Sequence, residues 1–233
     1  MYSGKRVKYL RDDAEFPPVE ESLSDGLLAA GGDLSEKRLL KAYKNGIFPW
    51  YDEYSPILWY SPPVRCVFRP AGFIASHSLK QKLKNGVFSI TMDQNFHEVI
   101  TACAFTKRKT DDGTWILPEM IYAYNQLHLN GFAHSVEVWH QGILAGGLYG
   151  ISIGKAFFGE SMFHKVTDAS KAALYYLCNW LLKNEFHFID AQLETNHLVS
   201  LGAYTVSREI YLKMLFEAMQ HPTLKGPWKN NLI

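Results

Sequence analysis

From Ala133 onward the hydrophobic pattern has a period of two. Val136 and Val138 alternate with polar neighbours, Gln141-Gly142 makes a turn, and two further strands are predicted over 143–149 and 155–163. Downstream the period lengthens: Leu174, Leu177, Cys178 and Leu181 form the apolar stripe of a long helix for which Asp168 is the expected N-cap. Residues 186–193 read as a buried strand, and Ser207 caps a last helix reaching Gln220. Upstream, Ser35 is an N-cap, Leu34 and Leu39 have staple spacing, and Gly46 stops that first helix. A strand over 64–68 follows, then a helix from Ser76 to Gly86 with Leu79 and Leu83 inward. Next come a helix from an Asp93 cap through Cys103 and one from Pro118 to Asn130, stopped at Gly131.

Residues 16–33, rich in Pro, Gly, Ser and acids, are expected to be an ordered loop. After the first helix come Ile47-Phe48-Pro49-Trp50-Tyr51 and Leu58-Trp59-Tyr60-Ser61-Pro62-Pro63. These rings suit the core of a small first domain, with some left over to line a pocket for a flat ligand. A boundary at Pro62-Pro63 gives a small N-terminal domain over 1–62 and a larger domain over 63–233, an α+β plan with one mixed sheet.

Composition adds little until it is divided along the chain. With 233 residues, 47% hydrophobic and 20% charged, the chain can bury a full core, and a net charge of +1 excludes polybasic and acidic disordered classes. Residues 63–110, however, carry 8 basic and 2 acidic side chains. Lys80, Lys82 and Lys84 on the Ser76 helix, together with Lys107-Arg108-Lys109, suggest a surface for a polyanion as readily as a solvated face. Cys66, Cys103 and Cys178 are odd in number and far apart, so buried thiols are expected. No apolar run near the start suits a signal peptide or a membrane span, and a cytoplasmic protein is expected.

Standard signatures fail. His97-Glu98 is followed by Thr101 where a zincin helix needs His, and Gly159-Glu160-Ser161-Met162-Phe163 lacks the last Gly of a nucleophile elbow. The glycines at 142, 146, 147, 150 and 154 lie among strands, outside any dinucleotide-loop setting. A pair of acids remains. Glu160 shares a strand face with Phe158 and Met162, and Asp190 shares one with Phe188 and Gln192. Such carboxylates are paired, hydrogen-bonded or used, or else face solvent, and the Gln192 amide could hold Asp190 in one rotamer.

Phe16-Pro17-Pro18, the Gly26 to Leu34 run, Gly46-Ile47-Phe48-Pro49-Trp50, Trp59-Tyr60-Ser61-Pro62, Gly159-Glu160-Ser161-Met162-Phe163, Ser170-Lys171 and Ser200-Leu201-Gly202-Ala203 form an ordered series. Together they resemble the bacterial leucyl/phenylalanyl-tRNA–protein transferases. The resemblance implies an acetyltransferase-like (GNAT-like) C-terminal domain and transfer of Leu or Phe, with Met as a further candidate, from aminoacyl-tRNA. The acceptor would be a protein with N-terminal Arg or Lys, marked thereby for N-end rule degradation. It implies no metal, nucleotide or other cofactor.

By the same resemblance Asp190 and Gln192 serve the attacking amine, with Asp190 either its base or only its positioner, and Glu160 adds negative potential for a cationic acceptor. Trp50 and Trp115, with Tyr43, would hold the terminal adenosine. Leu148, Phe157, Leu174, Leu177, Leu181 and Ile189 would line the amino-acid pocket, and Lys80, Lys82 and Lys84 would meet tRNA. Two other readings stand beside this one: an acyl-CoA N-acyltransferase of the same fold and a noncatalytic RNA-binding adaptor. The first is disfavoured by His164-Lys165-Val166-Thr167-Asp168, which offers no glycine for a pyrophosphate and puts an acid at the helix start. The second is disfavoured by two acids in apolar strands.

Overall fold

The computed structural model describes residues 6–11, 14–106 and 115–228. Two sheets divide the chain. Strands β1 (Lys8–Leu10), β2 (Leu27–Gly31), β3 (Phe48–Pro49) and β4 (Leu58–Tyr60) form a small sheet in the order β1-β2-β4-β3, with helix α1 (Glu36–Lys44) between β2 and β3. A seven-stranded sheet takes β5 (Val64–Phe68), β6 (Ser89–Met92), β7 (Ala133–His140), β8 (Ile143–Ile153), β9 (Ala156–His164), β10 (Phe188–Gln192) and β11 (Tyr204–Ser207). Its order is β11-β5-β10-β9-β8-β7-β6, and only β9 and β10 run parallel, joined through helix α5 (Ala169–Lys183). The expected α+β class with a mixed sheet is present. The single sheet is corrected to two, because strands of two to five residues are too short to show alternation.

Helix caps explain where the predicted helices begin. Ser35, Ser76 and Ser207 each accept a backbone N–H from three residues on, starting α1, α2 (His77–Lys84) and α7 (Arg208–Met219). Pro118 opens α4 (Pro118–Leu129), and α6 (Asn196–Ser200) follows a Thr195 cap. One expected cap is not a cap, and another is the N-cap residue without a side-chain cap bond. Helix α3 (Phe96–Phe105) starts after Asn95, while Asp93 spends its carboxylate on Ser135 N–H and the His134 ring. Asp168 does precede α5, but it is left-handed at φ 75° and its carboxylate binds Lys82 and Lys171. Residues 16–33 contain β2, and the strand expected over 186–193 is trimmed to Phe188–Gln192.

The seven-stranded sheet is covered on both faces. On one side α2 and α5 pack through Leu79, Leu177, Leu181 and Trp180; on the other, Tyr43, Trp59, Val99, Tyr124, Tyr149 and Phe158 belong to one continuous core. Phe48, Tyr51 and Trp59 are buried as expected, yet the core they join is shared with the large sheet and is not a separate one. Both faces being covered also explains why β8 extends to Ile153 beyond its recognisable alternation. The three cysteines are free and buried. Among the described residues no helix is long and apolar enough to cross a membrane.

Tight strand spacing at Gly150 is a condition of this sheet. A Cβ there would stand 2.2 Å from the Phe158 carbonyl oxygen and 2.6 Å from the Phe157 ring. Gly150→Ala is therefore expected to destabilise the fold by about 1–3 kcal/mol, read as a lower urea midpoint with unchanged slope; an unchanged midpoint would refute the close packing.

Candidate active site

Arg65 is an arginine inside an apolar strand, and it is 1% exposed. Its partner is Asp190, on the neighbouring strand β10 and 0% exposed. Arg65 Nε donates to Asp190 Oδ1 at 2.9 Å and Nη2 to Oδ2 at 2.7 Å, a two-pronged contact that fits a planar fork to a carboxylate. Tyr211 donates to Oδ2 at 2.7 Å and the Gln192 backbone N–H to Oδ1 at 2.9 Å. Asp190 thus has four donors and no exposed surface. Arg65 also donates to the Gly46 carbonyl at 3.2 Å and lies between the Phe48 and Tyr211 rings, which holds its pKa above its already high ordinary value through the Asp190 charge despite burial.

The sequence reading placed Asp190 and Gln192 on one face by alternation. A bulge intervenes: Asp190 pairs Val67 and Gln192 pairs Cys66, with Gln192 at φ 56°. The hold between them runs through the Gln192 backbone N–H, and the Gln192 side chain instead donates to Glu160 Oε1 at 3.3 Å. Asp190 fixes the turn; Gln192 and Glu160 present their side chains.

Glu160 on β9 stands on two phenols. Tyr43 of α1 donates to Oε1 at 2.7 Å and Tyr124 of α4 to Oε2 at 3.1 Å, while the two hydroxyls lie 2.5 Å apart. Burial and the neighbouring carboxyl hold both phenols protonated. With Glu160 ionised the two phenolic protons fill only two of the three oxygen–oxygen contacts; with Glu160 protonated at Oε2 the ring closes, Tyr124 then accepting from Oε2 and donating to Tyr43, which donates to Oε1. Burial raises the Glu160 pKa to about 7, opposed by the two tyrosine hydrogen bonds, raised further by Asp190 and opposed again by Arg65. Tyr124, Arg65 and Tyr211 were not singled out from the sequence; an arginine among Val64, Cys66, Val67 and Phe68 was the available signal for a buried acid partner.

Beside these groups a cavity of about 160 Å³ opens, lined mostly by apolar side chains, with the hydrogen-bonded Glu160 and Gln192 together in its wall. Leu148, Phe157, Leu174, Leu177 and Ile189 line it. Leu181 does not: it is fully buried in the core behind. Tyr43 sits under Glu160 and Trp50 and Trp115 lie outside the lining. Trp50 is 43% exposed against Tyr60, and Trp115 is half-buried. The Tyr51 hydroxyl donates to Glu119 at 3.2 Å, tying the segment that carries Trp50 to the segment that follows Trp115.

On α2, Lys80 and Lys84 are exposed, whereas Lys82 pairs with Asp168 at 2.7 Å. Lys171 meets the other oxygen of Asp168 at 2.9 Å, and the two lysines hold that carboxyl below its ordinary range. The start of α5 is therefore occupied by a carboxylate of its own, a poor place for a pyrophosphate. Lys107-Arg108-Lys109 lie outside the described residues.

Comparison with known proteins adds an independent line. The family model for the leucyl/phenylalanyl-tRNA protein transferase matches residues 67–216, and the model for that family's N-terminal domain matches 32–63. A leucyl/phenylalanyl-tRNA–protein transferase of Maridesulfovibrio salexigens is 54% identical over 224 residues, covering 96% of this chain and 93% of that protein. One of Desulfatibacillum aliphaticivorans is 53% identical, covering 91% of each. Among solved structures, an aminoglycoside acetyltransferase from an uncultured soil metagenomic sample superposes with a TM-score of 0.37 at 9% identity, covering 50% of this chain and 85% of its own. Matched by its own family model across most of the large sheet and by close relatives along nearly its whole length, the chain belongs to the aminoacyltransferase family of leucyl/phenylalanyl-tRNA protein transferases.

Proposed function

We propose that this protein transfers Leu or Phe from the acceptor end of aminoacyl-tRNA to the α-amine of proteins beginning with Arg or Lys, a cytoplasmic reaction that creates N-end rule degradation signals. The observation that carries the reading is the apolar cavity with Glu160 and Gln192 in its wall. An amino-acid side chain fills the cavity, and its ester carbonyl then lies beside that polar pair. Transfer joins the acceptor nitrogen to that carbonyl carbon and breaks the bond to the ribose oxygen, which takes the proton the amine gives up. Ester to amide is downhill, so no nucleotide or metal is required. Residues 1–62 and 63–233 act as two units, a division supported by the two sheets and by the two family models.

Each polar group has a part in this scheme. Gln192 spends its Nε2 on Glu160, so its side-chain oxygen is the acceptor offered to the amine N–H. Asp190 is a positioning residue, since four donors already occupy it, and its work is to hold the bulge that aims Gln192. Glu160 ionises as a cationic acceptor approaches and supplies the negative charge that Arg or Lys recognises. Trp50 and Trp115 hold the terminal adenosine by stacking, and Lys80 and Lys84 meet phosphates. Lys82 secures α2 to the start of α5.

Asp190→Ala is expected to lower turnover by orders of magnitude and also to cost about 3–5 kcal/mol of stability by stranding Arg65. Turnover of labelled leucine onto an Arg-starting peptide, measured well below the melting temperature, checks the first effect, and calorimetry the second. Exposed lysines give a different signature. Lys80→Ala and Lys84→Ala should each flatten the salt dependence of tRNA binding by about one unit of log–log slope, while Lys82→Ala lowers stability; equal slopes in all three variants would move the tRNA surface elsewhere.

Because the folded Glu160 carboxyl keeps its proton to about pH 7 and the unfolded one only to 4.5, the folded state binds the extra proton between these values. Wild-type stability should therefore fall as pH rises through that window, relative to Glu160→Gln, whose amide reproduces the protonated ring. The difference is on the order of 2 kcal/mol, and urea melts of both proteins at pH 5 and pH 8 measure it; parallel curves would place the proton elsewhere.

A further inference from the structure

Beyond α7 the chain does not trail away. Thr223 Oγ1 accepts the Gly154 N–H at 3.0 Å, Gly226 N–H reaches the Gly131 carbonyl at 3.3 Å, and Trp228 N–H donates to Asp93 Oδ2 at 2.6 Å. The contact between Gly226 and Gly131 is so close that a Cβ on Gly131 would stand 2.4 Å from Gly226 N. Three anchors in six residues fasten a strap across the strand ends, and the strap lies beyond the stretch 67–216 that the family model matches.

At the end of the strap Trp228 is 3% exposed. Its indole is sandwiched between the His134 ring, 3.8 Å away at 9°, and the Trp180 ring, 3.9 Å away at 21°. Two further rings lie against it: Phe186, with centroids 5.9 Å apart at 74°, and Phe157, 5.8 Å apart at 42°. Phe157 is the residue that faces two ways, since it also lines the cavity beside Glu160 and Gln192. On its other flank the ring packs close to Gly150, filling the space that a Cβ there would take, 2.6 Å from the ring edge. The indole of Trp228 is thus the support against which Phe157 is held.

We infer that Trp228 is a specificity-determining positioning residue: through Phe157 it sets how large an amino-acid side chain the cavity admits. This inference rests on the cavity being the pocket for the transferred amino acid. Removing the indole leaves room into which the Phe157 ring can retreat, so the cavity enlarges and bulkier side chains gain over leucine. A residue that only stabilised the fold would lower transfer of every donor together.

The test compares wild type with Trp228→Ala and the milder Trp228→Leu. In competition, kcat/KM for Phe-tRNA and Leu-tRNA is read with one Arg-starting peptide, and the Phe-to-Leu ratio is expected to rise about tenfold in Trp228→Ala and less in Trp228→Leu. Separately, benzyl alcohol and isobutanol are titrated into each protein and followed by NMR of the Phe157 ring, with the variants expected to favour benzyl alcohol more than wild type does. An unchanged ratio and unchanged probe selectivity in folded variants would overturn the inference. If Trp228→Ala does not fold, the graded change in Trp228→Leu decides. If wild type transfers neither amino acid, the acyl-transfer reading fails, and the probe titration still decides whether Trp228 governs the cavity.

Discussion

The pairing of Arg65 with Asp190 is the constraint around which the site is assembled. Two full charges removed from water are costly, and the attraction between them offsets that cost only with good geometry and satisfied neighbours. Here β5 and β10 supply the two charges, α7 supplies the Tyr211 hydroxyl, the Gln192 bulge supplies a backbone N–H, and the end of α1 supplies the Gly46 carbonyl. Each of those elements is held to its place by a polar atom that would otherwise be left unsatisfied. The pair contributes specificity of arrangement more than net stability, and the arrangement it enforces is the one that turns Gln192 toward Glu160.

Glu160 shows what a buried arrangement of this kind can do with ordinary groups. A carboxyl in water would be ionised at neutral pH; buried here it holds its proton to about pH 7, although the two phenols that donate to it favour the ionised form. An incoming cation then changes its state at little cost. Desolvation is the largest influence and the tyrosines oppose it, while the smaller effects of Asp190 and Arg65 act in opposite directions.

How far the chain could be read in advance varies with the kind of signal. Serine caps at 35, 76 and 207 were legible because a hydroxyl before an amphipathic run has one common use. The acids at 160 and 190 stood out because charge in an apolar strand needs an explanation. What escaped was everything set by distant contact: the two- to five-residue strands of the small sheet, the bulge that breaks alternation at Gln192, and the capture of Asp93 and Asp168 by partners far along the chain. Arg65 was visible as an oddity, but its partner lies 125 residues away and only the sheet order brings them together. Of the six side chains expected to form the apolar pocket, helical spacing could not separate Leu177, which faces it, from Leu181, one turn on, which does not.

The tyrosine under Glu160 has a consequence for how the protein matures. Tyr43 comes from the first fifth of the chain and Glu160 from well past its midpoint, separated by 117 residues. Before the early helix docks, Glu160 lacks the Tyr43 hydroxyl as a partner. The hydrogen-bonded ring around this carboxyl therefore exists only in a chain long enough to contain both segments and folded far enough to bring them together.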